Sequence, residues 1–469
     1  MSAPTKDLLG TGNIKSLLFK LSIPTIIAQL INMLYNLVDR IYIGHIAGTG
    51  ALQLTALGLC TPLILSVSAF AYLVGSGGGP LASIAAGEKN TEKAEKILGN
   101  SFVLLVILGL ILTGVLLAAN RPMLLAFGAS SDTIGYALDY MNIYAIGTLA
   151  VMLTLGLNLF ITGMGFTLTG MLSVLIGAVL NIGLDPLFIF TFGLGVKGAA
   201  WATVISQVVS CLWVVFFLMS KKSLWRLRYQ NFKPDWHLIW SLLFLGSATF
   251  LMQFSESILT VCFNTSLQKY GGDVAVGTMT ILFSLMQLSF LPLTGLGQGA
   301  QPIISYNYGA KNKERVKETF RYLVIISFAF AVVLWAFVMA FPTAFARIFT
   351  SDETLIAHVA TPARIYAACL GLFGIQIACQ QTFTAIGDAK SSLLAAIMRK
   401  FILLIPLIYI VPLIWKDNPE YGVYLAEPIA DFLAVSFTAT LFYFQSKKAL
   451  KRLDEPAQEE AKAPAVPTK

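Results

Sequence analysis

Apolar residues run along this chain in long blocks separated by short polar or glycine-rich breaks. Six blocks lie near residues 17–45, 52–83, 97–119, 133–160, 168–190 and 197–219. A basic break, KKSLWRLRYQNFKPD, starts at Lys221, and six more blocks follow near 238–267, 274–305, 318–342, 354–384, 391–414 and 421–445. A bilayer core is about 30 Å thick and takes roughly 20 helical residues to cross. Within it the backbone must satisfy its own hydrogen bonds. The pattern therefore predicts an all-α polytopic membrane protein of twelve transmembrane helices.

The two sets of six resemble one another. GSGGGPLASIAAGEKNTEKA begins at Gly75 and GQGAQPIISYNYGAKNKERV at Gly297. At one offset Gly75, Gly77, Pro80, Gly87, Lys89, Asn90 and Glu92 meet Gly297, Gly299, Pro302, Gly309, Lys311, Asn312 and Glu314. The same offset sets Gly165 on Gly387, and a shift of two brings Gln29 and Asn32 onto Gln253 and Glu256. An even number of spans per half makes this a parallel repeat, a pseudo-twofold about an axis along the membrane normal. The expected organisation is a cytoplasmic N-terminal segment (1–16), an N-lobe (17–220), a basic cytoplasmic linker (221–237), a C-lobe (238–445) and a polar, disordered cytoplasmic tail (446–469). The glycine runs lack the strand–loop–helix setting and the Lys-Ser/Thr ending of a phosphate loop, so close helix packing in lipid is expected of them instead.

Composition agrees. The chain is 57% hydrophobic and 12% charged, with a mean hydropathy of +0.76, whereas soluble domains are about 25% charged. The net charge of +8 forms no basic stripe with exposed aromatics, so a nucleic-acid partner is not expected. Twenty-five Lys and Arg fall on or near one side, Arg399 and Lys400 counted among them. Five (Arg121, Lys197, Lys269, Arg347, Lys416) fall on the other, and Arg40 and Arg364 lie inside spans. Positive loops stay cytoplasmic, so both termini are expected inside. The N-terminus shows no cleavable apolar region. Cys60, Cys211, Cys262, Cys369 and Cys379 have no metal or redox spacing and read as core hydrophobes.

Charges within spans are costly and mark function by default. Asp39, Asp185 and Glu256 stand out. At about 1.5 Å per residue they lie roughly 28, 26 and 27 Å from the cytoplasmic ends of their spans, in the outer half. Asn181 and Asp185 are four apart and share a helix face, and Thr203 lies near the same level. Asp39, Asn181, Asp185 and Thr203 are expected to converge as an oxygen-rich pocket for a hard cation or a proton shared between close carboxylates. The alternatives are an Asp39–Arg40 pair, a helix end relieved by Asp185 before Pro186, and a packing role for Thr203. Asp39 and Asp185 map onto apolar positions in the second half (Phe263 and about Leu407), while Glu256 maps onto Asn32. That asymmetry favours a task over scaffolding. Glu256, with Asn32 and Gln253, is a candidate for substrate binding or coupling. Asp388 reads as a helix-start residue. His45, His237 and His358 sit at span ends without ligand spacing.

Two six-helix lobes, Pro24 ahead of Asp39 in the first span, and LNIGLDPLFI from Leu180 in the fifth resemble the MATE (multidrug and toxic-compound extrusion) family, its MepA-like bacterial branch in particular. The resemblance covers residues 15–445. It implies a central cleft between lobes with alternating access, and export of lipophilic organic cations by Na⁺ or H⁺ antiport. It further implies an N-lobe cation site at Asp39, Asn181, Asp185, Thr203 and the backbone carbonyl of Ala199. Pro24 would be a hinge. In the family's NorM-like branch a second acid in the tenth span joins the one matching Glu256; here that position falls near Ile375 and Gln376. No cofactor is expected beyond the coupling ion. The expected setting is a monomer in the bilayer of a bacterial inner (plasma) membrane, with cationic drugs or metabolites as partners. A lipid-linked saccharide flippase of the same superfamily is the alternative; its anionic cargo needs a basic cavity, for which Arg40 and Arg364 are the candidates. A membrane-embedded enzyme is a weaker alternative, because HExxH, GxSxG and paired His-Asp motifs are missing from the sequence.

Overall fold

The computed structural model describes residues 8–349 and 353–454, and among them all regular secondary structure is helical. Spans 1–6 are Ile14–Gly44, Gly50–Gly87, Thr91–Ala126, Ile134–Gly163, Thr167–Thr191 and Val196–Met219. Spans 7–9 are Trp236–Gly272, Val274–Gly309 and Lys313–Ala340, and span 11 is Ala389–Ile414. Span 10 is broken: Leu355–Tyr366 and Leu370–Ala385 meet at 47°. Span 12 begins at Pro419 and is helical to Asp454. The twelve expected spans are all present.

Five of the spans begin where the sequence supplies a side-chain cap. At the end carrying the basic loops, the side chains of Asn13, Asn90, Asp235, Asn312 and Asp388 accept hydrogen bonds from the first backbone N–H groups of spans 1, 3, 7, 9 and 11. Those donors have no partner within the helix, and a short oxygen acceptor satisfies them. Asp388 is the helix-start residue expected of it.

The repeat is visible in the backbone. Lys89 and Lys311 are the two non-glycine residues with positive φ among the described residues, at 61° and 56°. Each is followed by the capping Asn90 or Asn312, so the two span-to-span turns are built alike. Gly165 and Gly387 likewise share positive φ, 85° and 75°.

The two halves meet through glycines. A Cβ on Gly87 would stand 2.0 Å from the Tyr306 carbonyl oxygen, and one on Gly309 would stand 2.0 Å from that of Ile84. Spans 2 and 8 thus touch backbone to backbone at their basic ends. Span 7 meets span 2 in the same way, Gly77 against Leu242 and Gly246 against Leu73. The symmetry-related contact, span 1 on span 8, sets Gly295 against Ile26 and Gly299 against Ser22. Hydrogen bonds reinforce it, from Thr25 Oγ1 to Gly295 O at 2.6 Å and from Gln29 Nε2 to Gln298 Oε1 at 3.1 Å. Small residues permit such approach where lipid supplies no hydrophobic drive between helices.

The structure departs from the sequence expectations in two places. The chain is still helical from 446 to 454, where the tail was expected to begin, and residues 1–7 and 455–469 lie outside the described residues. Arg399 and Lys400 do not join the basic loops: both are buried within span 11. Span 1 continues as one helix from Ile14 to Gly44 with Pro24 inside it.

Candidate functional site

The N-terminal half brings Asp39, Asn181, Asp185 and Thr203 together. Spans 1, 5 and 6 supply them, with Asp39 and Asp185 each a few residues before the end of a helix opposite the basic loops. Asn181 Nδ2 donates to Asp185 Oδ1 at 3.3 Å and to Thr203 Oγ1 at 3.4 Å. The one-turn spacing of Asn181 and Asp185 puts both on the face that meets span 6. Asp39 is 8% exposed, Asn181 2% and Asp185 0%. Asp39 lies within electrostatic reach of both Asp185 and Tyr140 of span 4. Ala199 is wholly buried in the first turn of span 6.

Three oxygens of this pocket, Asp39 Oδ1, Asn181 Oδ1 and Asp185 Oδ2, are buried without a hydrogen-bond partner. A buried acceptor left unpaired costs about 1–3 kcal/mol, and more when charged. Two carboxylates and an amide oxygen therefore stand ready for a positive species. The set suits Na⁺, which takes hard oxygen ligands, or a proton on one carboxyl. Among the described residues no group of three or more His, Cys, Asp and Glu is arranged to hold a metal ion.

The C-terminal half holds a second polar centre that the sequence reading missed. Arg399 Nη2 pairs with Glu427 Oε1 at 3.0 Å, and Arg399 Nε with Asp431 Oδ1 at 2.9 Å. Lys400 Nζ pairs with Glu256 Oε1 at 2.8 Å. All of these side chains are at most 7% exposed except Glu256, at 51%. Arg399 also lies over the Phe373 ring, 4.4 Å from its centre. Arg399 and Lys400 sit on a π-helical stretch, Met398–Leu404; span 5, the repeat partner of span 11, has its own at Leu187–Thr191. Such wide turns cluster at functional sites. Glu427 and Asp431 are four apart and lie inside the apolar block near 421–445; the rule that singled out Asp39 applied equally to them.

Span 7 starts before and ends after its apolar block, leaving Glu256 20 residues from Trp236 and 16 from Gly272, close to the middle of the helix on the side away from the basic loops. Gln253 is three residues earlier and part-buried. Asn32 is part-buried on span 1, where its carbonyl oxygen accepts from Asn36 Nδ2 at 2.6 Å. Beside Gln253 an aromatic run crosses between the halves, Phe70 of span 2 against Phe250 (5.0 Å between ring centres) and Phe250 against Phe254 (5.9 Å).

The likeness to known proteins agrees with this architecture. The chain is 26% identical to the multidrug export protein MepA of Staphylococcus haemolyticus over 421 residues, 90% of this chain and 92% of that protein. A crystal structure of MATE in the bent conformation superposes with a TM-score of 0.90 at 26% identity, covering 97% of this chain and all of that one. An outward-facing multidrug resistance MATE transporter of the MOP superfamily gives 0.88 at 25% identity, with the same coverage. The MatE family pattern matches twice, over residues 24–187 and 248–410, once in each half of the repeat. The chain belongs to the MatE family of membrane transporters.

Proposed function

We propose that the protein exports lipophilic organic cations from the cell in exchange for inward Na⁺ or H⁺, the coupling ion being held by Asp39, Asn181, Asp185, Thr203 and the Ala199 carbonyl. The observation that carries this reading is the set of three unpartnered buried oxygens in the N-terminal half. Multidrug export is the activity named for the MepA relatives. The aromatic run at Phe70, Phe250 and Phe254 supports lipophilic cargo, since aromatic faces attract cations. Glu256, with Gln253 and Asn32, is the cargo side.

In this reading the basic end faces the cytoplasm, both termini are inside a bacterial plasma membrane, and a single chain suffices. The lobes are residues 17–220 and 238–445, joined by the basic linker at 221–237. The glycine contacts close the basic end, so the arrangement is open to the outside, where external cation reaches Asp39 and Asp185. Cargo and ion bias one two-state equilibrium in opposite directions, and Pro24, which removes a helix hydrogen bond, is the point where span 1 bends. The test is efflux of ethidium from proteoliposomes under separately imposed Na⁺ and H⁺ gradients. Export driven by neither gradient would overturn the antiport reading.

The flippase alternative gains two candidate bases in Arg399 and Lys400. Each is already engaged by a carboxylate, and with Asp39 and Asp185 the interior acids outnumber the bases. This charge balance favours cationic cargo.

A further inference from the structure

The Lys400–Glu256 pair differs from its neighbours in being half open. Lys400 is sealed, with 6% of its side chain exposed, whereas 51% of the Glu256 side chain is exposed. A cation entering from the open side reaches the Glu256 carboxylate without first passing Lys400. The centre also holds three acids, Glu256, Glu427 and Asp431, against two bases, Arg399 and Lys400. One carboxylate charge is therefore in excess, and both Glu427 and Asp431 lie within electrostatic reach of Lys400.

We propose that Lys400 is a tethered counterion that occupies the cargo position on Glu256, and that an organic cation binds by displacing its ammonium toward Glu427 and Asp431. This rests on the export of cations proposed above and adds a residue that sets affinity and release. A buried charge stripped of its partner is strongly destabilising, so the exchange must keep every charge paired. Here it does. Cargo takes Glu256, Lys400 takes the excess carboxylate beside Arg399, and no ion enters the interior unpaired. In reverse, the return of Lys400 to Glu256 expels the cargo. The π-helical stretch gives Lys400 a wider turn than an α-helix provides, and its flexible four-carbon stem carries a compact charge between partners. Span 11 thus becomes the element that senses whether cargo is bound.

The experiment measures ethidium binding to the purified, detergent-solubilised protein by fluorescence, and efflux from proteoliposomes in parallel. Removing the competitor with Lys400→Gln is expected to tighten ethidium binding on the order of tenfold, the worth of one hydrogen bond to a charged group. Efflux should slow at the same time, because release loses its driving residue. Lys400→Arg keeps a tethered cation and should bind ethidium within a few-fold of wild type. Should Lys400→Gln not fold, Lys400→Met tests the same point, and the charge-exchanged Glu256→Lys, Lys400→Glu protein is a folded control that should lose ethidium binding. Wild type binding, with Lys400→Gln and Lys400→Met binding equally or more weakly, would overturn the tethered-counterion role alone. Failure of wild type and all variants to bind any organic cation would overturn the cargo reading itself.

Discussion

Asn181 donates to Asp185 across one helical turn, Nδ2 to Oδ1 at 3.3 Å, while its own amide oxygen and the other Asp185 oxygen are left buried without partners. The amide thus holds one carboxylate oxygen in place and, like the second, keeps its own oxygen without a hydrogen-bond partner. Asp39 from span 1 adds a third unpartnered oxygen, which links the pocket to the helix that carries Pro24.

Asp39→Asn and Asp185→Asn each remove a charge while preserving shape. Each is expected to reduce gradient-driven efflux at least tenfold while leaving expression and thermal unfolding near wild type, since the lost carboxylate oxygens hold no protein partner. Asn181→Ala and Thr203→Ala should mainly raise the cation concentration needed for half-maximal transport. Efflux by the Asp39→Asn, Asp185→Asn double variant that still follows the gradient would remove this pocket from the mechanism.

Orientation has its own test. A hydrophilic reporter fused after Lys222 or Lys447 should report cytoplasm, and one after Lys416 the exterior. An exterior signal after Lys447 would contradict the placement of the basic end.

The twelve spans and the repeat were legible because apolar length and glycine spacing are local properties. Asp39, Asn181, Asp185 and Thr203 were legible for a related reason: a polar side chain in an apolar block is visible without knowing its neighbours. Arg399 and Lys400 were not. They lie 11 and 12 residues from Asp388, where span 11 is capped, and near the start of an apolar block a base is indistinguishable from a loop residue. Only the packing of span 11 between spans 7 and 12 brings Glu256, Glu427 and Asp431 to them.

Arg399 holds Glu427 and Asp431 in a site at most 7% exposed. Breaking such a pair leaves buried charge uncompensated, at a cost of about 3–5 kcal/mol. Arg399→Gln should lower the thermal unfolding temperature in detergent by several degrees, whereas Arg399→Gln combined with Glu427→Gln and Asp431→Asn should recover most of it. A triple variant no more stable than the single one would show that the loss comes from packing and not from charge.

The glycine joint between spans 2 and 8 should resist any side chain. A Cβ at Gly309 would meet the Ile84 carbonyl oxygen at 2.0 Å, and overpacking of this kind costs about 1–3 kcal/mol. Gly309→Val is expected to shift the protein away from the arrangement closed at its basic end by roughly 5- to 150-fold. A cysteine at Gln29, whose side chain now bonds Gln298 across the neighbouring contact of span 1 on span 8, reports this as faster labelling in a background without the native cysteines. Unchanged labelling would mean that the joint yields without opening.

Pro24 and Thr25 together determine how span 1 leaves span 8. Proline has no N–H, so the Lys20 carbonyl loses its helical partner and the helix is weakened there. The next residue compensates: Thr25 Oγ1 reaches Gly295 O at 2.6 Å and Ser22 O at 2.8 Å, and Ser22 Oγ reaches Leu296 O at 3.3 Å. The weak point in span 1 is thus clamped to span 8 from one side, which accounts for its continuity through Pro24. Opening the basic end must break the Thr25–Gly295 bond before Pro24 can bend. Thr25→Val keeps the shape and removes the bond, worth about 0.5–1.5 kcal/mol net, and should favour the form open at the basic end by roughly 2- to 12-fold. Pro24→Ala restores the helical hydrogen bond and should slow the conversion while leaving the clamp in place. Labelling of the Gln29 cysteine should therefore rise in Thr25→Val, fall in Pro24→Ala, and stay low in the double variant if bending requires the proline. A double variant that labels as fast as Thr25→Val alone would show that the lobes part without bending span 1, and Pro24 would then have no part in the conversion.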